Sequence, residues 1–103
     1  MRKAKVYVKG IYAGELVEQQ RKTLYEFTYA ESYQGPPVSL TMPVRKALFC
    51  FEGFPPFFEG LLPEGYELRA LLQIKKINKN DYFKQLVTVG LDLVGYVTVE
   101  AIE

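Results

Sequence analysis

Thr23-Leu24-Tyr25-Glu26-Phe27-Thr28-Tyr29 is the stretch that decides the fold, because β-branched and aromatic residues alternate along it. Successive side chains of a β-strand point to opposite faces of a sheet, so an alternating stretch can lie with one face on a hydrophobic core. This stretch is the strongest strand candidate in the chain.

Two weaker strand candidates precede it. Residues 4–9 alternate between apolar residues and lysine or tyrosine, which is the pattern of a half-buried strand. Gly10 and Gly14 bracket an apolar tripeptide and predict a hairpin connection into a second strand over residues 14–19. We therefore expect three antiparallel strands at the start of the chain.

The chain between residues 31 and 56 loses this regular pattern. Gly35-Pro36-Pro37, Pro43 and Pro55-Pro56 punctuate it, and each proline removes a backbone donor. We expect extended, irregular structure there.

A helix is predicted from Pro63 to Ile74 or Lys76. Proline suits the first helical turn, and carboxylates near the start and lysines near the end complement the helix dipole. Its apolar stripe, at spacings of three and four residues, is expected to face the sheet and consists of Leu68, Leu71 and Leu72.

A second helix follows, with Asn80-Asp81 as its cap and Gly90 at its end. The residues expected to share its apolar face are Tyr82, Phe83, Leu86 and Val87. The alternating stretch Val94–Ile102 then predicts a last strand that rejoins the sheet. The fold class expected is α+β: a small, mainly antiparallel, partly barrel-like sheet covered by two short helices, in one domain over residues 1–103.

Composition limits the class of protein. The 103 residues are 49% hydrophobic and 24% charged, which is typical of a folded globular chain. The net charge of +1 does not favour nucleic acid or an anionic membrane as a partner, so we expect neither. One cysteine, no long apolar run and no secretory signal pattern predict a cytoplasmic protein.

The sequence offers few parts for catalysis. It contains no histidine and a single cysteine, so neither a zinc site nor a cysteine–histidine nucleophile can be assembled from it. A glycine-rich phosphate loop with its lysine is also missing. The carboxylates of Glu52, Glu59, Glu64 and Asp92 could supply an acid and base pair, but their positions favour helix caps and solvated loop residues. We expect no enzyme activity, no cofactor and no metal.

Four segments, in this order, resemble the N-terminal subdomain 1 of HipA-type serine/threonine kinase toxins. They are Val8–Leu16; Phe27-Thr28-Tyr29 with Val38–Val44; Phe57-Phe58-Glu59-Gly60-Leu61-Leu62-Pro63-Glu64-Gly65; and Val89–Gly95. The kinase body that normally follows this subdomain is not in the sequence, which ends at Glu103. The resemblance therefore implies a stand-alone subdomain of the HipS type.

HipS-type proteins belong to split systems that also encode a HipT-type kinase toxin and a HipB-type helix-turn-helix DNA-binding protein. The resemblance implies an antitoxin that binds and restrains the kinase, with the HipB-type protein as a further partner in a ternary complex. Another interpretation stays open: a structural subunit that completes or scaffolds the kinase and its DNA-binding partner without inhibiting it. A nucleic-acid-binding module using Tyr7, Tyr12 and the lysines of the first strand is disfavoured by the near-neutral charge.

The candidate contact with a partner lies on the helix predicted from Pro63. Tyr66 lies about 200° around that helix from Leu68, so it is expected to point away from the apolar stripe. It is either an interface anchor or a residue that packs over the irregular segment before the helix. The predicted partner-binding residues are Glu64, Gly65, Tyr66, Arg69 and Gln73.

Overall fold

A five-stranded antiparallel sheet with short helices on one face makes up the fold, so the α+β class is confirmed. The computed structural model describes residues 1–93 and 95–102. The strands are β1 (Arg2–Val8), β2 (Ile11–Gln20), β3 (Leu24–Tyr29), β4 (Leu48–Glu52) and β5 (Val97–Ile102), and the helices are α1 (Pro56–Glu59), α2 (Gly65–Lys75) and α3 (Tyr82–Val89). The spatial order is β4-β3-β2-β1-β5. β4 and β5 are the edges of this sheet, which is therefore open and not a closed barrel.

Alternation along the strands sorts the side chains between the two faces of the sheet. One buried row crosses four strands in register and consists of Phe49, Phe27, Leu16 and Ala4. The opposite face carries residues such as Lys3 and Lys5, which are exposed. The three antiparallel strands predicted at the start of the chain are confirmed by the pairing of β1, β2 and β3. Their alternation with a period of two gives the sheet a continuous apolar surface on one side.

The first hairpin is tighter than the glycines suggested. Lys9 and Gly10 have φ angles of 52° and 79°, so a two-residue turn with both dihedrals positive joins β1 to β2. β2 therefore begins at Ile11 and not near residue 14. A register shift next to Val6 marks a β-bulge, and the strand returns to regular pairing at Gly14.

The segment over residues 31–56 is not irregular throughout. It contains β4, which pairs with β3 without a register shift, and it ends where Pro56 begins α1. Neither element is predicted from the sequence. Residues 48–51 are all apolar, so they show no alternation of apolar and polar residues, and the prolines dominate the local pattern. The neighbouring loop is tied down by Tyr29, whose hydroxyl donates to the carbonyl of Met42 and accepts from the N–H of Val38 at 2.8 Å.

The apolar face of the sheet is covered by α1 and α3. Phe58 of α1 is fully buried, and its ring centroid lies 6.1 Å from that of Phe27 in β3. Phe83 and Leu86 of α3 join the same core. Asp81 caps α3, as predicted, by accepting a hydrogen bond from the Lys84 N–H at 3.2 Å.

The face expected for α3 is correct only in part. Phe83 and Leu86 are buried, Val87 is half-buried and Tyr82 is exposed. Gln85 is buried instead, and its side-chain amide donates to the backbone carbonyl of Lys79 at 3.1 Å, which satisfies a polar group that the sequence pattern did not place inside.

Near the end of the chain, two boundaries of secondary-structure elements also differ from the predicted ones. A 3₁₀ turn, Gly90–Asp92, continues directly from α3, so Gly90 does not stop the chain from winding. The last strand begins at Val97, and Val94, where it was expected to start, lies outside the described residues.

The prediction that α2 packs on the sheet is wrong. None of its eleven residues is buried. The side chains expected to face the sheet, those of Leu68, Leu71 and Leu72, are half-buried and lie outside the main core. The reason is competition for space: α1 and α3 already cover the apolar face, so α2 lies beside them.

Candidate protein-interaction face

The entry into α2 is set by a glycine. Gly65 has a φ of +59°, in the left-handed region that other residues rarely adopt, and Glu64 before it is extended with φ −128° and ψ 165°. A helix running on from Pro63, as predicted, would need ordinary helical dihedrals at both positions. The helix therefore begins at Gly65, and the backbone turn at this point sets the direction of its first side chain, Tyr66.

The solvent side of α2 forms one continuous patch, which we call the outer face. It consists of Tyr66, Arg69, Ala70, Gln73 and Ile74, all of which are exposed. These residues recur at spacings of three and four, so they share one side of the helix. The two large apolar members are open to solvent, with Tyr66 85% and Ile74 75% exposed.

Arg69 lies against the ring of Tyr66. The guanidinium carbon is 5.6 Å from the ring centroid, which is the range of a cation–π contact between residues three apart on a helix. The contact favours one position of the Tyr66 ring and places a cation over it. The pair presents a large apolar surface together with hydrogen-bond donors, a combination enriched where proteins bind each other.

The opposite side of α2 anchors the helix to the rest of the protein. Leu68 lines a cleft of about 210 Å³ together with Pro63 and, from α3, Tyr82 and Gln85. The C-terminal end of α2 is fixed by Lys76, whose φ of 54° is left-handed, and by the Ile77 N–H, which donates to the Leu72 carbonyl at 3.0 Å. Ile77 itself is buried. These contacts hold α2 in place while its outer face stays open.

All five predicted partner-binding residues are exposed, and the structure brings two of them into contact. Tyr66 and Arg69 touch, Gln73 lies one turn beyond Arg69, and Glu64 and Gly65 form the approach to the helix. The expectation that Tyr66 points away from the leucine stripe is confirmed. A role for these residues in binding stays a prediction.

Sequence reasoning missed Ile74 as part of this face. It is predicted only as an end of the helix, although it lies four residues after Ala70, a spacing that puts the two side chains on the same broad side of a helix. An isoleucine outside the leucine stripe was the available signal.

A second opening in the surface is an apolar cleft of about 340 Å³. Phe57, Leu61 and Tyr96 line it, with Pro36 and Pro37 on the loop side. Phe57 is half-buried there, whereas its neighbour Phe58 is in the core, so the two consecutive aromatics divide between cleft and core.

Within residues 1–93 and 95–102, no group of three or more histidine, cysteine, aspartate or glutamate side chains is arranged to hold a metal ion. In the same part of the chain, no helix has the length and apolar character needed to cross a membrane.

Comparison with known proteins agrees with this architecture. The structure superposes on a solved structure described as the N-terminal domain of HipA toxin, with a TM-score of 0.80, 31% sequence identity, and coverage of 100% of this chain and 94% of the other. An uncharacterized protein of Haemophilus influenzae (strain Rd) is 31% identical over 100 residues, which cover 97% of this chain and 92% of that protein. The model of the HipA N-terminal domain family matches residues 4–100. The chain therefore belongs to the HipA N-terminal domain family.

Proposed function

We propose that this protein is a HipS-type antitoxin that binds a HipT-type serine/threonine kinase toxin and inhibits it. Family membership associates the chain with HipA-type toxin systems. The Haemophilus influenzae relative supports a role for the domain as a separate chain, because the match leaves little of that protein uncovered. No kinase residues are needed for this role, since inhibition is by contact.

A separate subdomain needs a strong contact surface of its own. A covalently attached module benefits from a high effective concentration, and a free chain must offset the loss of translational and rotational freedom through its contacts. Such contacts concentrate in a few residues, most often tryptophan, tyrosine and arginine.

The observation that carries the proposal is the Tyr66–Arg69 pair on the outer face of α2. Tyr66 is 85% exposed, although an aromatic ring of this size is a major source of binding energy once buried. Arg69 adds donors suited to a carboxylate or carbonyl on the partner. Because the helix is anchored on its other side by Leu68 and Ile77, little ordering of the backbone is required when a partner binds.

In the proposed complex, α2 and the turn at Glu64-Gly65 lie against the N-lobe of the kinase on its nucleotide side. A helix in this position hinders closure of the phosphate-binding loop over ATP, which phosphoryl transfer requires. The inhibition is steric. A HipB-type helix-turn-helix protein joins the same assembly through the kinase.

A kinase assay tests the proposal. Autophosphorylation of purified HipT-type kinase is measured with increasing amounts of this protein, and a stoichiometric decrease is expected. Unchanged or increased autophosphorylation, together with binding measured by calorimetry, would instead identify a structural subunit. Absence of binding would remove the kinase as the partner.

A further inference from the structure

The two edges of the sheet differ in whether a further strand can reach them. At the end of β5, the N–H of Lys9 donates to the carbonyl of Tyr96 at 2.8 Å, so Tyr96 and every second residue after it direct their backbone groups at β1. The backbone N–H and C=O groups of Val97 and Val99 therefore point away from β1, toward the free edge. A Cβ added at Gly90 would overlap the carbonyl oxygen of Val99, so the 3₁₀ turn lies directly against that edge. The turn obstructs the addition of a strand to β5.

The edge formed by β4 is open. Tyr29 donates its N–H to Ala47 at 2.9 Å, and Gly53 donates its N–H to Thr23 at 2.8 Å, so the odd-numbered residues of β4 point their backbone groups at β3. The backbone groups of Leu48, Cys50 and Glu52 therefore point outward. They make no backbone hydrogen bond within the part of the chain that the structure describes.

β4 also lacks three of the features by which sheet edges avoid association. Proteins protect such edges with lysines, prolines, bulges or a covering loop. The strand Leu-Phe-Cys-Phe-Glu contains neither lysine nor proline, and its pairing with β3 has no bulge. Leu48 is 46% exposed, and the one charge lies at the last residue, Glu52.

We propose that the β4 edge pairs, antiparallel and about a two-fold axis at Cys50, with the β4 edge of a second copy of this chain. The outward residues 48, 50 and 52 are symmetric about the central one, so the two copies present matching donors and acceptors. Cys50 then lies opposite its counterpart, and Leu48 lies opposite Glu52.

Charge favours the antiparallel arrangement and selects the second copy as occupant. Exposed Arg45 and Lys46 precede the strand, and exposed Glu52 ends it. A two-fold axis at the centre places the basic end of each copy beside the acidic end of the other. A parallel arrangement would put like charges together. Because one edge carries both the basic and the acidic group, the edge of a second copy is complementary to it.

Sedimentation velocity over a range of concentrations tests the pairing. A five-residue edge gives a small interface, so a dimer with a dissociation constant on the order of 100 μM is expected. Leu48→Glu should raise that constant at least about tenfold, because it places a carboxylate directly opposite Glu52 of the second copy. The matched control is Leu40→Glu, because Leu40 is 95% exposed and lies outside β4, so its replacement should leave the dimer unchanged.

Charge exchange tests the orientation. Glu52→Lys alone, and Arg45→Glu with Lys46→Glu alone, should each weaken the dimer, and the combination of all three should restore it. The antiparallel register would be contradicted if Glu52→Lys and the Arg45→Glu, Lys46→Glu pair each weakened the dimer and their combination did not restore its dissociation constant.

Cys50 provides an independent readout. Residues in a hydrogen-bonded antiparallel pair have Cα atoms about 5.5 Å apart, which is within the range that a disulfide spans. Mild oxidation, which forms the sulfur–sulfur bond as the oxidant takes up two electrons and two protons are released, should yield covalent dimer. Covalent dimer should form at least about tenfold faster than in a Cys50→Ser, Leu40→Cys variant, whose thiols meet only by collision. Monomer at every concentration, or equal oxidation rates, would overturn the proposal.

Discussion

Arg2 and Glu18 lie side by side on neighbouring strands and form a two-pronged hydrogen bond. Nε of Arg2 is 2.8 Å from Oε1 of Glu18, and Nη2 is 2.8 Å from Oε2. Tyr25 donates its hydroxyl to the same carboxylate at 2.8 Å. On its other side Arg2 reaches Asp81, the cap of α3, at 2.9 Å, so one side chain links the sheet to a helix.

Burial shapes the electrostatics of this cluster. Glu18 is only 4% exposed, and burial by itself raises the pKa of its carboxyl. The hydrogen bonds from Arg2 and Tyr25 outweigh burial and lower the pKa to about 2, against an ordinary value of 4.5. The Tyr25 hydroxyl has a raised pKa, because it is buried and donates to an ionised carboxylate.

Replacing the buried carboxylate should destabilise the protein. In Glu18→Gln, Arg2 and Tyr25 lose their anionic acceptor, and breaking a buried pair of this kind costs about 3 kcal/mol of the free energy of unfolding. Urea denaturation measures the change. Glu31→Gln is the control, because Glu31 is exposed and its replacement should leave stability within about 0.5 kcal/mol. Equal stability of the two variants would contradict the role assigned to Glu18.

The same carboxylate should make stability depend on acid. Because Glu18 binds its proton more weakly in the folded state, the unfolded state takes up more protons, and stability falls as pH falls from 4.5 through about 2. The contribution is fully present above pH 4.5 and amounts to about 3 kcal/mol. Denaturation of wild type and Glu18→Gln between pH 7 and 2 should show a shallower acid slope in the variant. Parallel slopes would mean that other carboxylates dominate.

Gly90 should not tolerate a side chain. A Cβ there would overlap the Val99 carbonyl oxygen, so Gly90→Ala should push the 3₁₀ turn away from β5 and cost about 2 kcal/mol or more. Gly60→Ala is the control: its φ is −64° and the nearest atom to the new Cβ is 3.4 Å away. Thermal melting should therefore separate the two variants clearly. Similar melting temperatures would show that the turn can move at little cost.

Tyr66→Ala should weaken binding to a HipT-type kinase by about 2 kcal/mol, or roughly thirtyfold in the dissociation constant. The reason is loss of the exposed ring that the proposed interface buries. Tyr96→Ala is a closely matched control, because Tyr96 is 70% exposed and also has a cation, Lys9 Nζ, 5.0 Å from its ring centroid, but lies outside α2. Calorimetry on folded variants measures both. Equal weakening by the two changes would show that the contact is not specific to α2.

The candidate site was predictable in outline because a helix has a fixed period. Counting from Leu68 placed Tyr66 on the opposite side, and the structure confirms its exposure. The contact between Arg69 and the Tyr66 ring depends on rotamers, and the start of the helix depends on the left-handed Gly65. Neither is encoded in the spacing of apolar residues, so the sequence pattern could not supply them.

Local alternation in the sequence by itself determined β1, β3 and the type of each longer element, because side-chain direction repeats with a period of two or 3.6 residues wherever the backbone is regular. Only the tertiary structure decided which surface each apolar stripe meets. β4 became a strand because β3 offered it an unpaired edge, and α2 was left beside the core because α1 and α3 had filled the apolar face of the sheet. A stripe records that one side of an element is apolar; what covers that side is settled by competition among all elements for the same buried area.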